Sequence, residues 1–452
     1  MTELADPPRA DTGRQPLAGA ELAIRPRFLA DIYEAASRCN KCSLCQAVCP
    51  TYVVNPVEWE TARGRVGLVR DAIEGRLELR DIADGPLSSC LTCNNCVAAC
   101  APAVPTAEIV SRARQELYDQ EGHPLLQSVA LRGILPSPLM LRMLHGVARA
   151  GEVSGLLPFA RRTGLTRWLG AAGSISEQVG ALPRHTAYRR ARRIPPPAEP
   201  VRGRLGFVMC CYQNLAAPDA TEATLRVFAA NGYEVIVPTL GCTGLPGKTQ
   251  GDREAMLDMA RSTVDRMRNL EVDAFVGDVA SCTQHVRDYG RLLAGEPLHH
   301  GAAARISGSV NHAAAFLAGA GLRSPLGRLR WTVAYDEPCA YPVGGAERRA
   351  AHRLLAQVPG LRIVDLEEAA MCCGGAGTYF HKQPERSAAV LERKFEHVAA
   401  SGAEVLVTDN ISCLDQLRAG ARRHAPQVRV LHVFEVLNAS IEAAQRRAQL
   451  SG

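Results

Sequence analysis

Eight of the chain's sixteen cysteines lie between positions 39 and 100, in two runs of one spacing: Cys39, Cys42, Cys45, Cys49 and Cys90, Cys93, Cys96, Cys100. Each run is C-x2-C-x2-C-x3-C. Thiolates at intervals of three, three and four residues let three sulfurs from one curled loop cap one face of a cubane, while the fourth cannot easily reach the same cluster. In the bacterial two-cluster pattern that fourth Cys ligates the other cluster. The rule assigns Cys39, Cys42, Cys45 and Cys100 to one [4Fe-4S] centre, and Cys90, Cys93, Cys96 and Cys49 to a second. Pro50 follows the first run as the pattern asks; after the second comes Ala101 and then Pro102, which predicts a small local change and no lost ligand. Structural zinc would pair two C-x2-C knuckles and leave the third and fourth Cys of each run without a role.

Six further cysteines recur at one offset. From Cys211 to Cys339 is 128 residues, from Cys242 to Cys372 is 130, and from Cys282 to Cys413 is 131. Each stands just beyond a short β-like run (LGFVMC, YEVIVP and DAFVGD in the first copy; WTVAYDE, LRIVDL and EVLVTD in the second), with helical stretches between the runs. That order predicts two copies of a βαβαβ unit with parallel strands, whose carboxyl edge is where ligands bind. Copy two brings Cys339, the pair Cys372–Cys373 and Cys413 to that edge, and Gly374, Gly375 and Gly377 permit a tight bend round a bulky group. Four converging thiols suit a metal cluster. Copy one aligns only Cys211, Cys242 and Cys282, with Thr243 at the place of the second adjacent Cys and Cys210 as an extra. It reads as a relic of duplication whose small cysteines are packing, so the two copies are expected to differ in metal content.

The elements that must hold these groups follow from the rest of the chain. At 452 residues it is long enough for roughly three domains, and with 22% charged and 47% apolar residues it has the material for packed cores. The net charge of +6 comes with only four Lys and marks no nucleic-acid surface. No secretory signal and no run of 18 apolar residues is present, so a reducing cytoplasmic setting is expected, where clustered Cys bind metal more often than they form disulfides. Helical stretches such as 61–74 separate the first two runs. From Pro124 to Arg204 there are 13 Arg, no Lys and three acids, with Leu, Ile and Met at near-helical spacing in an amphipathic region broken by Pro. Its tail RHTAYRRARRIPPPAEP reads as a linker. The domains expected are a flexible 1–27, a helical ferredoxin module at 28–123, the basic helical region at 124–200, and cysteine-rich α/β domains at 201–327 and 328–452, an α+β multidomain chain overall. GCTGLPGKT imitates a phosphate loop, but the Gly required at 242 is Cys. No G-x-G-x-x-G occurs, His299–His300 reads as a loop, and no acid–base constellation stands out.

The order of these modules resembles the iron–sulfur subunits of glycolate oxidases. The matching stretches are CNKCSLCQAVCPTYV at Cys39, ARGRVGLVRDAIEG at Ala62, CLTCNNCVAAC at Cys90, ANGYEVIVP at Ala230 and MCCGGAGTYF at Met371. The layout is shared with the corresponding electron-transfer component of anaerobic glycerol-3-phosphate dehydrogenase and with heterodisulfide-reductase-like proteins. The resemblance implies an electron-transfer chain with two [4Fe-4S] clusters and a third iron–sulfur cluster in copy two on Cys339, Cys372, Cys373 and Cys413. It implies FAD in a separate 2-hydroxy acid dehydrogenase subunit that does the substrate oxidation, and a quinone or other acceptor. The basic amphipathic stretch 125–167 is expected either to lie on an anionic membrane surface, at the inner face of the cell membrane, or to form a helical bridge packed on the partner subunit or on the ferredoxin module. Copy one departs from the family pattern with CTG for CCG, Ala340 replaces the usual His of copy two, and the final C-x2-C appears as Asn410 to Cys413. The rival readings are catalysis of disulfide reduction within this chain, against which the altered copy one speaks, and a non-redox sensor, for which no effector or nucleic-acid module is visible. Arg63, Arg65 and Lys41 lie beside the Cys runs, either as cations that stabilise a reduced cluster or as solvated surface charge.

Overall fold

The computed structural model describes residues 29–122, 124–341 and 345–451; the flexible segment expected at 1–27 lies outside them. Residues 29–122 form a small helical unit. Thr61 opens its longest early helix, Ala62–Ile73, by accepting a hydrogen bond from Gly64 N at 3.0 Å. That helix lays Val66, Val69 and Ile73 against Ile109, Val110 and Ala113 of the helix Thr106–Glu121. One cysteine run precedes the first helix of this pair and the other precedes the second.

The C-terminal half holds two four-stranded parallel sheets of one topology. Strands β1 (Gly203–Phe207), β2 (Tyr233–Ile236), β3 (Ala274–Gly277) and β4 (Val310–His312) lie in the order β2-β1-β3-β4. Strands β5 (Thr332–Tyr335), β6 (Arg362–Val364), β7 (Val405–Thr408) and β8 (Arg429–His432) repeat it as β6-β5-β7-β8. In register, Leu205 stands between Val235 and Ala274, as Val333 stands between Ile363 and Val405. The fourth strand of each sheet was not among the runs read from sequence. VNH and RVLH are three and four residues long and carry a His, so they lack the apolar length of their neighbours. His300 begins the helix His300–Ser309 instead of lying in a loop.

The two sheets share one core. The last helix, Val433–Ser451, packs on the helix Pro218–Ala230 of the first repeat, with the rings of Phe228 and Phe434 5.7 Å apart. The carboxyl edges of the sheets face each other: Val279, just after β3, forms an antiparallel bridge with Asn410, just after β7, and His432 Nε2 lies 3.2 Å from the Asp278 carbonyl. Between the helical unit and the first sheet runs an arm with helices Pro138–Val153 and Leu156–Thr163. The stretch read as a linker is docked, not free, at its start: Ala187 enters the shared core, and Tyr188 hydroxyl takes a hydrogen bond from Leu240 N at 2.7 Å.

Candidate cysteine-ligated metal centres

The backbone of the two N-terminal runs is unusual at matching places. Lys41 and Ser43, each one residue from Cys42, have φ of 57° and 71°; Thr92 and Asn94, in the same relation to Cys93, have φ of 50° and 62°. Left-handed conformations at residues other than Gly cost on the order of 1 kcal/mol each and persist where the surroundings over-determine them. In the first loop they accompany a curl that brings Cys39, Cys42 and Cys45 to one cavity. Arg63 pins the first loop, donating to Lys41 O at 3.2 Å and to Ser43 Oγ, with Glu58 holding its other edge.

One cavity is lined by Cys39, Cys42, Cys45, Cys96 and Cys100, with Val66, Val104 and Thr106 behind them, and Cys49 is not among its walls. Cys49 is buried and turned the other way, its sulfur 3.2 Å from Thr51 Oγ1 and 3.8 Å from the guanidinium of Arg65. Burial, with repulsion from the thiolates of Cys90, Cys49 and Cys45, pushes the Cys96 thiol up to about 12. Cys93 is pushed up by burial and then by Cys339 of the second repeat. The structure thus brings together all eight residues of the ferredoxin-type runs.

Two arginines complete this region. Arg65 is 1% exposed. Its guanidinium donates to Pro86 O at 2.7 Å, Ser89 Oγ at 2.7 Å and Thr51 Oγ1 at 3.1 Å. Burial works against its charge, and the thiolates of Cys90 and Cys49 outweigh burial, holding its pKa above the ordinary value. Arg114 donates to Cys90 O at 2.7 Å, Leu87 O and Thr249 O. Among the described residues no carboxylate lies within ion-pair distance of either; Glu60, whose charge also favours that of Arg65, pairs with Arg386. A buried cation without a carboxylate, as Arg65 is, needs another anion, and a cluster on four thiolates is one; Arg114 is half-buried beside it. Of the cations weighed from sequence, Arg65 is a partner of the sulfurs and Arg63 a clamp on the loop.

In each repeat the central strand is flanked by the two others whose ends carry cysteine, so the sheet orders β2-β1-β3 and β6-β5-β7 place all these thiols at one carboxyl edge. In repeat two, Cys372 hydrogen-bonds with Cys339 and with Cys373, which in turn bonds with Cys413. Gly374, at φ 81°, makes the bend, and a Cβ there would stand 2.8 Å from Ser387 O. Lys394, buried on the helix Pro384–Ser401, pairs with Asp336 at 3.0 Å and donates to Glu368 O and Ala369 O, which fixes the loop leading into Cys372. Asp278 and Asp409, 131 positions apart at the ends of β3 and β7, are pushed up by burial to about 7. Near neutrality they stay partly protonated, which limits the negative charge beside the thiols.

The roofs of the two thiol groups differ. The N-terminal unit covers repeat two: Leu91 and Cys93 pack with Cys339, Cys372 and Tyr379. Tyr379 hydroxyl donates to Ser89 O at 3.0 Å, and Asn95 Nδ2 to Ala370 O at 3.0 Å. The arm covers repeat one. Cys242 N donates to Leu135 O at 2.8 Å, and Gly241 lies so close beneath that a Cβ would come within 2.3 Å of Pro136 O. Lys248, of the stretch that imitates a phosphate loop, is paired with Asp288 at 3.3 Å.

Among the described residues no group of three or more His, Cys, Asp or Glu is arranged to hold a single metal ion. The donor set fits iron–sulfur clusters on other grounds: soft thiols gathered in fours, half-buried in the N-terminal runs apart from buried Cys49 and exposed Cys42, and mostly buried in the repeats, loops strained at equivalent positions, and cations without a carboxylate partner beside the sulfurs.

Comparison with known proteins agrees with this chemistry. Residues 35–104 match the family model of the 4Fe-4S dicluster domain, and residues 205–287 and 333–418 each match that of the cysteine-rich domain. The chain is 25% identical over 422 residues to a probable glycolate oxidase iron–sulfur subunit of Bacillus subtilis, covering 90% of this chain and 93% of that one. It is 26% identical over 416 residues to the glycolate oxidase iron–sulfur subunit of Escherichia coli, covering 89% and 94%. Lactate utilization protein A of an Exiguobacterium species is 27% identical over 240 residues, 53% of this chain and 98% of that protein.

Proposed function

We infer that this chain, a 4Fe-4S dicluster domain joined to two cysteine-rich domains like the glycolate oxidase iron–sulfur subunits it resembles, is an iron–sulfur electron-transfer subunit. One observation carries the reading further. The thiols form a connected series: the cavity of Cys39, Cys42, Cys45 and Cys100 shares Cys96 as a wall with the group of Cys90, Cys93 and Cys49, and Cys93 packs with Cys339 and Cys372 of the second repeat. We propose that Cys39, Cys42, Cys45 and Cys100 hold one [4Fe-4S] cluster, Cys90, Cys93, Cys96 and Cys49 a second, and Cys339, Cys372, Cys373 and Cys413 a third iron–sulfur group. Each such cluster, when bound, takes or gives one electron at a time, which suits a donor that releases two. Arg65 and Arg114 offset the charge of the sulfurs, and Tyr379 and Asn95 lock the helical unit onto the second repeat; Cys42 is exposed, so the first group of thiols is the one open to solvent, while Cys372, Cys373 and Cys413 are buried.

The donor proposed is a flavoprotein subunit that oxidises a 2-hydroxy acid such as glycolate or lactate, the acceptor a quinone or another carrier. Purified under argon from its native cells with an affinity tag, the chain should bring down a flavoprotein, and glycolate or lactate should then generate the electron paramagnetic resonance signal of reduced clusters. A chain that shows this signal with dithionite but with neither hydroxy acid, and that retains no flavoprotein, would sink the donor assignment.

No helix among the described residues is long and apolar enough to cross a membrane. The arm nevertheless presents Leu139, Met143, Leu144, Val147, Leu156, Phe159 and Trp168 to solvent, Trp168 at 88% exposure. Of its arginines, Arg132 pairs with Asp252 and Arg161 with Glu152, whereas Arg142 and Arg162 are exposed. Peripheral attachment through this face would draw on both apolar burial and charge. Vesicles with anionic lipid should sediment the chain at low salt and less of it at high salt; no sedimentation at either would assign the face to a protein partner.

A further inference from the structure

The first repeat lacks the second Cys of the C-C-G triplet, Thr243 standing in its place, and by sequence alignment it owns three thiols. In the folded chain it has four. Cys210 is buried, and its sulfur lies 3.2 Å from that of Cys282. It also hydrogen-bonds with Cys211, and Cys211 with Cys242. The contacts reproduce those of the second repeat pair by pair. Cys211 meets Cys242 as Cys339 meets Cys372, and Cys210 meets Cys282 as Cys373 meets Cys413. Each quartet has an adjacent pair in its middle and one cysteine at either end. What differs is the loop of origin: Cys373 arrives from the turn after β6, Cys210 from the turn after β1.

Thr243 occupies the vacated position. Its side chain is wholly buried and lies against the Cys282 thiol, and its hydroxyl has no nitrogen or oxygen partner. Gln213 Oε1, accepting from Cys210 N at 3.0 Å, holds the Cys210–Cys211 turn, and Asp278 accepts from the other end of the same amide. The turn that delivers the relocated sulfur is thereby anchored to the end of β3.

We propose that Cys210, Cys211, Cys242 and Cys282 form a second polythiolate metal site of the same kind as that of Cys339, Cys372, Cys373 and Cys413, with Cys210 supplying from β1 the ligand that Thr243 no longer supplies from β2. This rests on the reading that the second quartet binds an iron–sulfur group. It reverses the expectation of a metal-free first copy, because a spatial substitution leaves no trace in the alignment of the repeats.

The test uses the full chain, reconstituted anaerobically with iron and sulfide, with iron per chain and Mössbauer spectra as readouts. Cys373→Ser should remove the iron of the second quartet, and Cys210→Ser should remove a separate increment with its own spectral component. Moving the ligand back, in the double variant Cys210→Ser with Thr243→Cys, should restore that increment. Cys210→Ser with unchanged iron, in a chain where Cys373→Ser lowers it, would overturn this proposal alone. Unchanged iron in both variants would overturn the reading of the second quartet and this proposal with it. Iron lost in Cys210→Ser and not regained in the double variant would make Cys210 a packing residue, which also overturns the assignment.

Discussion

Cys49→Ser should change the cluster whose other ligands, Cys90, Cys93 and Cys96, come from the second run, and should leave that of its own run intact. The cavity wall is the reason: Cys39, Cys42 and Cys45 line it together with Cys96 and Cys100, while Cys49 stays outside it with its sulfur 3.8 Å from the Arg65 guanidinium. The loss expected is up to about four iron atoms per chain, one cubane's worth. Smaller losses are expected if the serine oxygen holds the iron poorly but does not release the whole cluster. Electron paramagnetic resonance of the reduced protein separates the cases, because Cys100→Ser should perturb the other spin system. If Cys49→Ser alters only the system that Cys39→Ser also alters, the ligation is not crossed.

Arg65→Met should lower the potential of the cluster beside it while leaving its iron in place. A guanidinium about 5 Å from the added electron, at an effective dielectric near 20, is worth roughly 3 kcal/mol. For a one-electron couple, where about 59 mV corresponds to a tenfold change, that is a fall on the order of 100 mV. Arg65 also donates to Pro86, Ser89 and Thr51, so a structural effect must be told from an electrostatic one. Arg65→Lys keeps the charge without the three-way fork and should recover more than half of the lost potential. A potentiometric titration in which Arg65→Met, iron-replete, matches the wild type within about 20 mV would show that the arginine serves the fold alone.

Much of the site was legible because the groups that make it are local in sequence. Eight thiols at fixed spacing, and six more at an offset of about 130, needed only a sheet topology to meet, and the βαβαβ order supplied one. The relocated ligand was not legible. Cys210 could be noted beside Cys211, but only the turn after β1 shows which of the two replaces Cys373. The short fourth strands were missed for want of length. The cations were visible in principle by another signal: Arg65, between Ala62 and Val66, and Lys394, between Leu391 and Phe395, each stand on the apolar stripe of an amphipathic helix. A long cation on such a stripe must be satisfied inside the protein. Arg114, following Ile109, Val110 and Ala113, repeats the pattern. What the stripe does not reveal is the partner, because Pro86, Ser89, Cys90 and Asp336 lie on other elements.

The different roofs over the two thiol quartets have a consequence for how the chain matures. The N-terminal unit lies over Cys339 and Cys372 through Leu91, Cys93 and Asn95, and Tyr379 of the second repeat bonds back to it. These covering residues are synthesised some 250 residues earlier than the cysteines they cover. The docking of the N-terminal unit is therefore a contact that becomes available only once the last repeat has been made, whatever the order in which the units themselves fold.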